Sequence, residues 1–430
     1  MSKRARLLAA LVVVMTVFVG APADADRGIS VPAFYTPPSS LPSENGALIR
    51  SEPLPLALSL PGLDGPLPGR ATRIMYKSTD NNGRPVAVTG AYLEPTAAWK
   101  GPGKRPLVVL APGTMGQGDH CSTSLALQRG LILGIGVTQS TVSIGYEVLA
   151  AYRLLAKGIA VVQTDYVGLG TTDRLHTYVD RVDEGHAVLD AARAARALTG
   201  TTSDVGLYGY SQGGGATSSA AELQASYAPD VPLKATYSGA PPADLLDTTT
   251  AIDGTELVGA IGWAVNGFVQ SDPSLKPLLD KYLSDAGRAA LKDLSTMCVG
   301  DAIFAYANKK TSSWTTTGQS IADVLRSEPV ARAYIDGQRI GTTKPAGIVR
   351  VATGVNDNLV PHPQARTMAA NWCGLGGDVV YVPVDNVKTP SPLLNHFGPL
   401  LSDQGTAVDW LAARLAGTPA TSNCGALPGQ

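Results

Sequence analysis

The pentapeptide Gly209-Tyr210-Ser211-Gln212-Gly213 is where this sequence is best equipped to do chemistry. A serine hydroxyl is a weak nucleophile, but a sharp turn from strand into helix presents it to a substrate, and the helix N-terminus favours the negative charge that develops on attack. Glycines on either side let the backbone bend that tightly. Both flanks fit, because the apolar run Val205 to Tyr208 reads as a strand and a small-residue helix is expected from near Gly214. An isolated pentapeptide of this kind is more often a mere glycine-rich turn. Here the strand before it and the helix after it favour the nucleophile.

Such a serine needs a base and an acid, which in strand–turn–helix sites follow it in the order acid, then histidine. Of the five histidines, only His362 and His396 come after Ser211 with an acid between. Asp357 stands in Gly354-Val355-Asn356-Asp357-Asn358-Leu359-Val360-Pro361, just past the strand-like run Ile348 to Thr353, and is the expected acid. His362 would leave the same strand end as that acid. His396 is therefore the expected base, in a separate loop after the run Val379 to Val384. Asp385 competes as the acid, but a turn-capping role suits it better.

The oxyanion of a tetrahedral intermediate needs backbone donors. Gln212 N–H is one, and Gly113 or Thr114, in the loop after Leu107 to Ala111, is the expected second, since Pro112 has no N–H. Two further groups of polar residues read as structural: His120, His176 and His186, which are scattered without ligand spacing, and Asp165, which precedes the serine.

These residues must be carried by strands and helices in alternation. Short, almost wholly apolar runs (Leu107 to Ala111, Ile159 to Thr164, Val205 to Tyr208, Ala235 to Ser238, Ile348 to Thr353, Val379 to Val384) predict strands buried on both faces. Helical patterns lie between most of them, as in Val182 to Leu198 closed by Gly200. The pattern predicts an α/β class chain with a mainly parallel sheet flanked by helices, and the Gly-x-Ser-x-Gly turn with its acid–histidine order makes the expected form the α/β-hydrolase fold. Thr72 to Ser78 and Pro85 to Leu93 read as a hairpin around Asp80-Asn81-Asn82-Gly83, and the proline-rich stretch 26–71 as an irregular wrap.

More than a hundred residues separate the runs at Ala235 and Ile348, too many for a simple crossover. A helical cap is expected at 244–344, between core segments 72–243 and 345–430. Leu257, Ile261, Val265 and Phe268 would share a helical face there, and Leu275 to Leu294 and Ile321 to Ile335 would each form a helix. Its apolar residues, Trp263 and Phe268 among them, are candidates to line an acyl site.

Lys3, Arg4 and Arg6, the apolar run Leu7 to Val19 and Ala23-Asp24-Ala25 read as a secretory signal over 1–25, which is short for a membrane span. The expected location is extracellular, with cell-envelope association an option. Loss of three basic residues and Asp24 takes the formal net charge from −1 to −3, and no basic cluster points to nucleic acid. Cys121, Cys298, Cys373 and Cys424 all follow the signal, an even number bound for an oxidising compartment, so two disulfides are expected, with three pairings open. Their spacing fits no zinc pattern, and the chemistry calls for neither metal nor cofactor.

Taken together, Pro112-Gly113-Thr114 with Asp119-x-Cys121, Asp165-Tyr166-x-Gly168-Leu169-Gly170, the segment Gly209 to Gly213, Asn356-Asp357-x-Leu359-Val360-Pro361 and His396 resemble the secretory lipase family typified by Candida antarctica lipase A. The resemblance spans most of the mature chain. It implies a monomeric lipase or esterase acting on small-molecule or lipid esters, with contact to a lipid interface and a cap that forms an acyl tunnel. It also implies a triad of Ser211, Asp357 and His396, and disulfides Cys121–Cys298 and Cys373–Cys424. Near Pro112 the typifying lipase has an aspartate, so acyl-chain preference does not carry over. An acyltransferase or a peptidase would use the same triad, and a secreted binding protein could keep the fold without catalysis.

Overall fold

The apolar runs assemble into one nine-stranded sheet, seen in a computed structural model that describes residues 31–56, 69–129, 132–135, 140–143, 146–385 and 388–428. The expected signal, 1–25, lies outside the described residues. In chain order the strands are β1 (Leu48–Leu54), β2 (Gly69–Thr79), β3 (Pro85–Pro95), β4 (Leu107–Ala111), a separate antiparallel pair β5 (Ile132–Ile135) and β6 (Ser140–Ser143), β7 (Ala160–Thr164), β8 (Val205–Tyr210), β9 (Leu233–Gly239), β10 (Ile348–Gly354) and β11 (Asp378–Val384). The sheet order is β1-β2-β3-β7-β4-β8-β9-β10-β11. Pairing is parallel from β7 to β11 and antiparallel from β1 to β7.

Two layers of helices explain why β4, β7 and β8 are buried at every residue. After α1 (Thr123–Arg129) and α2 (Val148–Ala156) come α3 (Arg181–Thr199) and α4 (Gln212–Tyr227). Alanine-rich faces of α3 and α4 pack on one side of the sheet with Val109, Val162 and Leu207. On the other side Val108, Val161 and Tyr208 meet α2 and the C-terminal helix. Asp180 caps α3 by accepting Val182 N–H and Asp183 N–H, and Gly200 ends it at φ 64°.

Between β9 and β10 the chain makes seven helices: α5 (Leu245–Ile252), α6 (Gly259–Ser271), α7 (Lys276–Tyr282), α8 (Asp285–Leu294), α9 (Val299–Tyr306), α10 (Ile321–Ser327) and α11 (Pro329–Gly337). They enclose a second apolar core around Trp263, Phe268, Leu294 and Trp314. The chain returns to the sheet under a tether: Glu222 on α4 accepts the N–H groups of Gly341, Thr342 and Thr343 and the Trp372 indole N–H, and pairs with Arg181 at 2.6 Å. Two more helices, α12 (His362–Gly374) and α13 (Pro392–Leu415), complete the chain.

Three expectations about the strands and the insertion's helices need correction. The stretch 26–71 is not wholly irregular: β1 lies in it and pairs antiparallel with β2 at the sheet edge, where Pro53 is tolerated. Leu275 to Leu294 is two helices, because Ser284 caps α8 and interrupts the run. Ile321 to Ile335 is also two, since Pro329 removes an N–H and starts α11 afresh.

Candidate active site

Ser211 sits between β8 and α4 with φ 59° and ψ −124°, a conformation that side chains rarely adopt. The turn is held by Ser211 N–H donating to the Gly239 carbonyl at 2.9 Å and Gly215 N–H donating to the Ser211 carbonyl at 3.0 Å. Only glycine fits on either side. A Cβ on Gly209 would lie 2.0 Å from the Gly213 carbonyl oxygen, and one on Gly213 would lie 2.1 Å from that of Ala111.

The structure brings Asp357 and His396 to this serine. His396 Nε2 is 2.9 Å from Ser211 Oγ, and its Nδ1 is 2.7 Å from Asp357 Oδ2. The other carboxylate oxygen, Oδ1, accepts the N–H groups of Leu359 and Val360, both at 3.0 Å, which aims Oδ2 at the ring. An Nδ1–H donated to that carboxylate leaves Nε2 free to accept the serine proton. All three side chains are buried.

His396 stands within α13 rather than in a loop, because Ser391 caps that helix at Leu394 N–H and Pro392 fits its first turn. The Tyr210 hydroxyl donates to the His396 carbonyl at 2.6 Å. Below the site, Arg350 on β10 makes a buried two-pronged pair with Asp403 on α13, at 2.5 and 2.7 Å. That pair fastens the strand leading to Asp357 onto the helix bearing His396.

The remaining candidates lie elsewhere. His362 faces the Tyr381 hydroxyl, His186 contacts the Thr79 carbonyl at 2.7 Å and stacks on Tyr227, and Asp385 is exposed at the end of β11. Asp165 accepts from Thr89, Thr123 and Ser124 in the core. The sulfurs form Cys121–Cys298 and Cys373–Cys424 disulfides. Among the described residues, the grouping whose donor atoms lie within 4.8 Å of one another is His120, Cys121 and Cys298, and the disulfide removes its thiolates as ligands.

Sequence reasoning read His176 as structural but missed its link to Gln212. The Gln212 side-chain amide donates to Glu184 Oε1 at 2.7 Å and to His176 Nε2 at 3.1 Å. His176 Nδ1 faces the Val167 carbonyl at 2.9 Å, so the proton sits on Nδ1 and Nε2 accepts. Burial lowers this histidine to about 4 and raises Glu184 to about 8, so both are neutral near pH 7. Glu184 and His176 thus hold the side chain of the residue after Ser211, and no local sequence signal marks them as partners.

The loop after β4 departs from expectation at Gly113. Its N–H is already given to Glu147 Oε1 at 2.5 Å, and the Thr114 hydroxyl is 2.7 Å from that of Tyr178. Beside Ser211 lies a cavity of about 40 Å³, walled by Tyr178, Gln212, Leu245, Ile261 and Phe268. Trp263 does not line it; its indole N–H donates to the Leu294 carbonyl within the insertion.

Comparison with known proteins gives the family and the fold. The chain is 28% identical over 404 residues to a probable inactive lipase of Mycobacterium tuberculosis, covering 91% of this chain and 83% of that one. It is 27% identical over 412 residues to lipase 1 of Candida albicans, covering 91% and 81%. Candida antarctica lipase A in its closed state superposes with a TM-score of 0.77 at 20% identity, over 93% of this chain and 89% of that one, which identifies the α/β-hydrolase fold. A family model of secretory lipases matches residues 133–423, well over half of the sequence, and the chain therefore belongs to the secretory lipase family.

Proposed function

We propose that the chain is a secreted carboxylic-ester hydrolase working through an acyl-enzyme on Ser211. His396 Nε2 takes the hydroxyl proton as Oγ attacks the ester carbonyl, and Asp357 holds the ring and stabilises its charged form. The same proton passes to the departing alcohol. Water then attacks the acyl-enzyme with His396 again as base, releasing the acid and restoring the serine. Gln212 N–H, at the start of α4, and a donor from the loop after β4 hold the oxyanion. The observation that carries this reading is the continuous relay from Ser211 Oγ through His396 to Asp357, at 2.9 and 2.7 Å.

The helical insertion over 244–344 acts as a cap in this reading, and the acyl group binds between it and the core. The wall is apolar even where its residue is polar by type: Thr249 turns its hydroxyl back to the Leu245 carbonyl and leaves its methyl for the cavity. At about 40 Å³ the cavity has room for a few waters. A long acyl chain therefore needs the α5–α6 wall to yield.

Hydrolysis of p-nitrophenyl esters from acetyl to palmitoyl, beside Ser211→Ala, tests the proposal. Turnover that disappears in the variant supports it, and the best chain length reports the acyl preference. A folded protein with no turnover, unlabelled by a serine-reactive phosphonate, refutes it in favour of a non-catalytic binder. Faster transfer to an added alcohol than to water makes it an acyltransferase.

A further inference from the structure

Glu147 immediately precedes α2 beneath the loop that follows β4, and it is 1% exposed. Its Oε1 accepts the Gly113 N–H at 2.5 Å, while Oε2 has no hydrogen-bond partner among the described residues. The other polar end of the same peptide group, the Pro112 carbonyl, accepts the Tyr166 hydroxyl at 2.7 Å. Both ends of the Pro112–Gly113 peptide are thus fastened by buried side chains. A Cβ at 113 would lie 1.4 Å from the Tyr146 hydroxyl and 3.0 Å from Glu147 Oε1, so any larger residue there would displace Tyr146.

This peptide lies against the nucleophile turn. Gly213 packs so closely on Ala111 and Pro112 that an added Cβ would meet their carbonyl oxygens at 2.1 and 3.0 Å. A peptide fastened at both ends there fixes the direction of the next N–H, that of Thr114. We propose that Glu147 is a positioning residue for ester hydrolysis, holding the Pro112–Gly113 peptide so that Thr114 supplies the second donor to the oxyanion once substrate displaces the Tyr146 hydroxyl from its N–H. The inference rests on the hydrolase reading above.

The acid's environment adds a consequence. The titratable groups facing Glu147 are tyrosines: Tyr146, whose hydroxyl also faces the Thr114 N–H, Tyr166 and Tyr208. No cation offsets its charge among them, and burial pushes its carboxyl up to about 8. At neutral pH it is protonated and accepts the Gly113 N–H through its carbonyl oxygen. Above that value the ionised form places negative charge next to the loop that must stabilise an oxyanion, so kcat falls.

The test compares the mature protein with Glu147→Ala and Glu147→Gln, measuring kcat and KM for a p-nitrophenyl ester from about pH 6 to 10, with thermal melting as a folding check. Glu147→Ala is expected to lower kcat by roughly a hundredfold with little change in KM, because the donor is misplaced and ground-state binding is not. Glu147→Gln keeps an acceptor for Gly113 without ionising. It should restore kcat to within about tenfold of the parent and abolish the alkaline decline. A folded Glu147→Ala variant with the parent's kcat overturns the inference, and so does an alkaline decline that persists unchanged in Glu147→Gln. Should Glu147→Ala not fold, the Glu147→Gln profile decides alone. An active parent with indifferent Glu147 variants removes only this inference, whereas an inactive, unlabelled parent removes the hydrolase reading itself.

Discussion

Replacing Asp357 with asparagine isolates the tautomer of His396 from the shape of the site. The two amide ends must choose between faces: Oδ1 of Asp357 accepts two backbone N–H groups, from Leu359 and Val360, while Oδ2 meets the single His396 Nδ1. An amide nitrogen turned toward the two backbone donors would leave them unpaired in a buried site, at about 1–3 kcal/mol each. The amide oxygen therefore stays with the backbone and the amide N–H group faces Nδ1. That nitrogen must then accept, which moves the imidazole proton to Nε2, 2.9 Å from Ser211 Oγ. The ring now donates to the serine and no longer takes its proton. Expected is a loss of about 10⁴ in kcat, or about 5 kcal/mol of transition-state stabilisation, with KM and melting temperature nearly unchanged. Steady-state ester hydrolysis near pH 7, with Ser211→Ala as the floor, measures it. Retention of more than about a tenth of the parent's kcat by folded Asp357→Asn would refute the relay as argued.

Two further outcomes concern stability. Burial raises Glu147, Glu184 and Asp183 to about 8 and Asp119 to about 7, so the native state binds protons that the unfolded chain has released. Their stabilisation is complete below the ordinary carboxylate range and is lost as pH rises through 7 to 8; His176 and His186, lowered to about 4, act oppositely below their ordinary 6.5. The melting temperature should therefore fall between about pH 6.5 and 9, and a rise across that window would contradict the assignment. The Cys121–Cys298 bridge spans 177 residues and Cys373–Cys424 spans 51, which by loop entropy sets upper limits of about 5 and 4 kcal/mol. Paired cysteine-to-alanine changes followed by urea unfolding should give the larger loss at the first bridge, and a reversed order would refute the entropic account.

What was legible in the sequence follows from how far apart the interacting residues lie. β4 and β8 are short runs buried on both faces, so their apolar residues alone mark them, and the turn at Ser211 announces itself through glycines that no other residue can replace. β1 was hidden because an edge strand tolerates Pro53 and a register shift near Arg50, which erase the alternation that would reveal it. The breaks at Ser284 and Pro329 did carry local signals, a capping serine and a proline, which the apolar periodicity outweighed. His176 and Glu147 gave none. Their contacts exist only because folding sets Gln212 beside one and Gly113 beside the other.

Whole-chain likeness does not decide turnover in this family, since relatives of 28% and 27% identity are named a probable inactive lipase and a lipase. In the proposed mechanism reactivity rests on a few contacts that the core enforces. Arg350–Asp403 binds the acid's strand to the base's helix, and Glu222 fastens the chain where the insertion returns to the sheet. The relay thus depends on elements outside the insertion, while the cavity wall depends on α5 and α6 within it. Changes at Leu245 or Phe268 should accordingly alter which esters reach Ser211. Changes at Arg350 or Asp403 should alter whether Ser211 reacts at all, because they loosen the two elements that hold Asp357 and His396 at 2.7 Å.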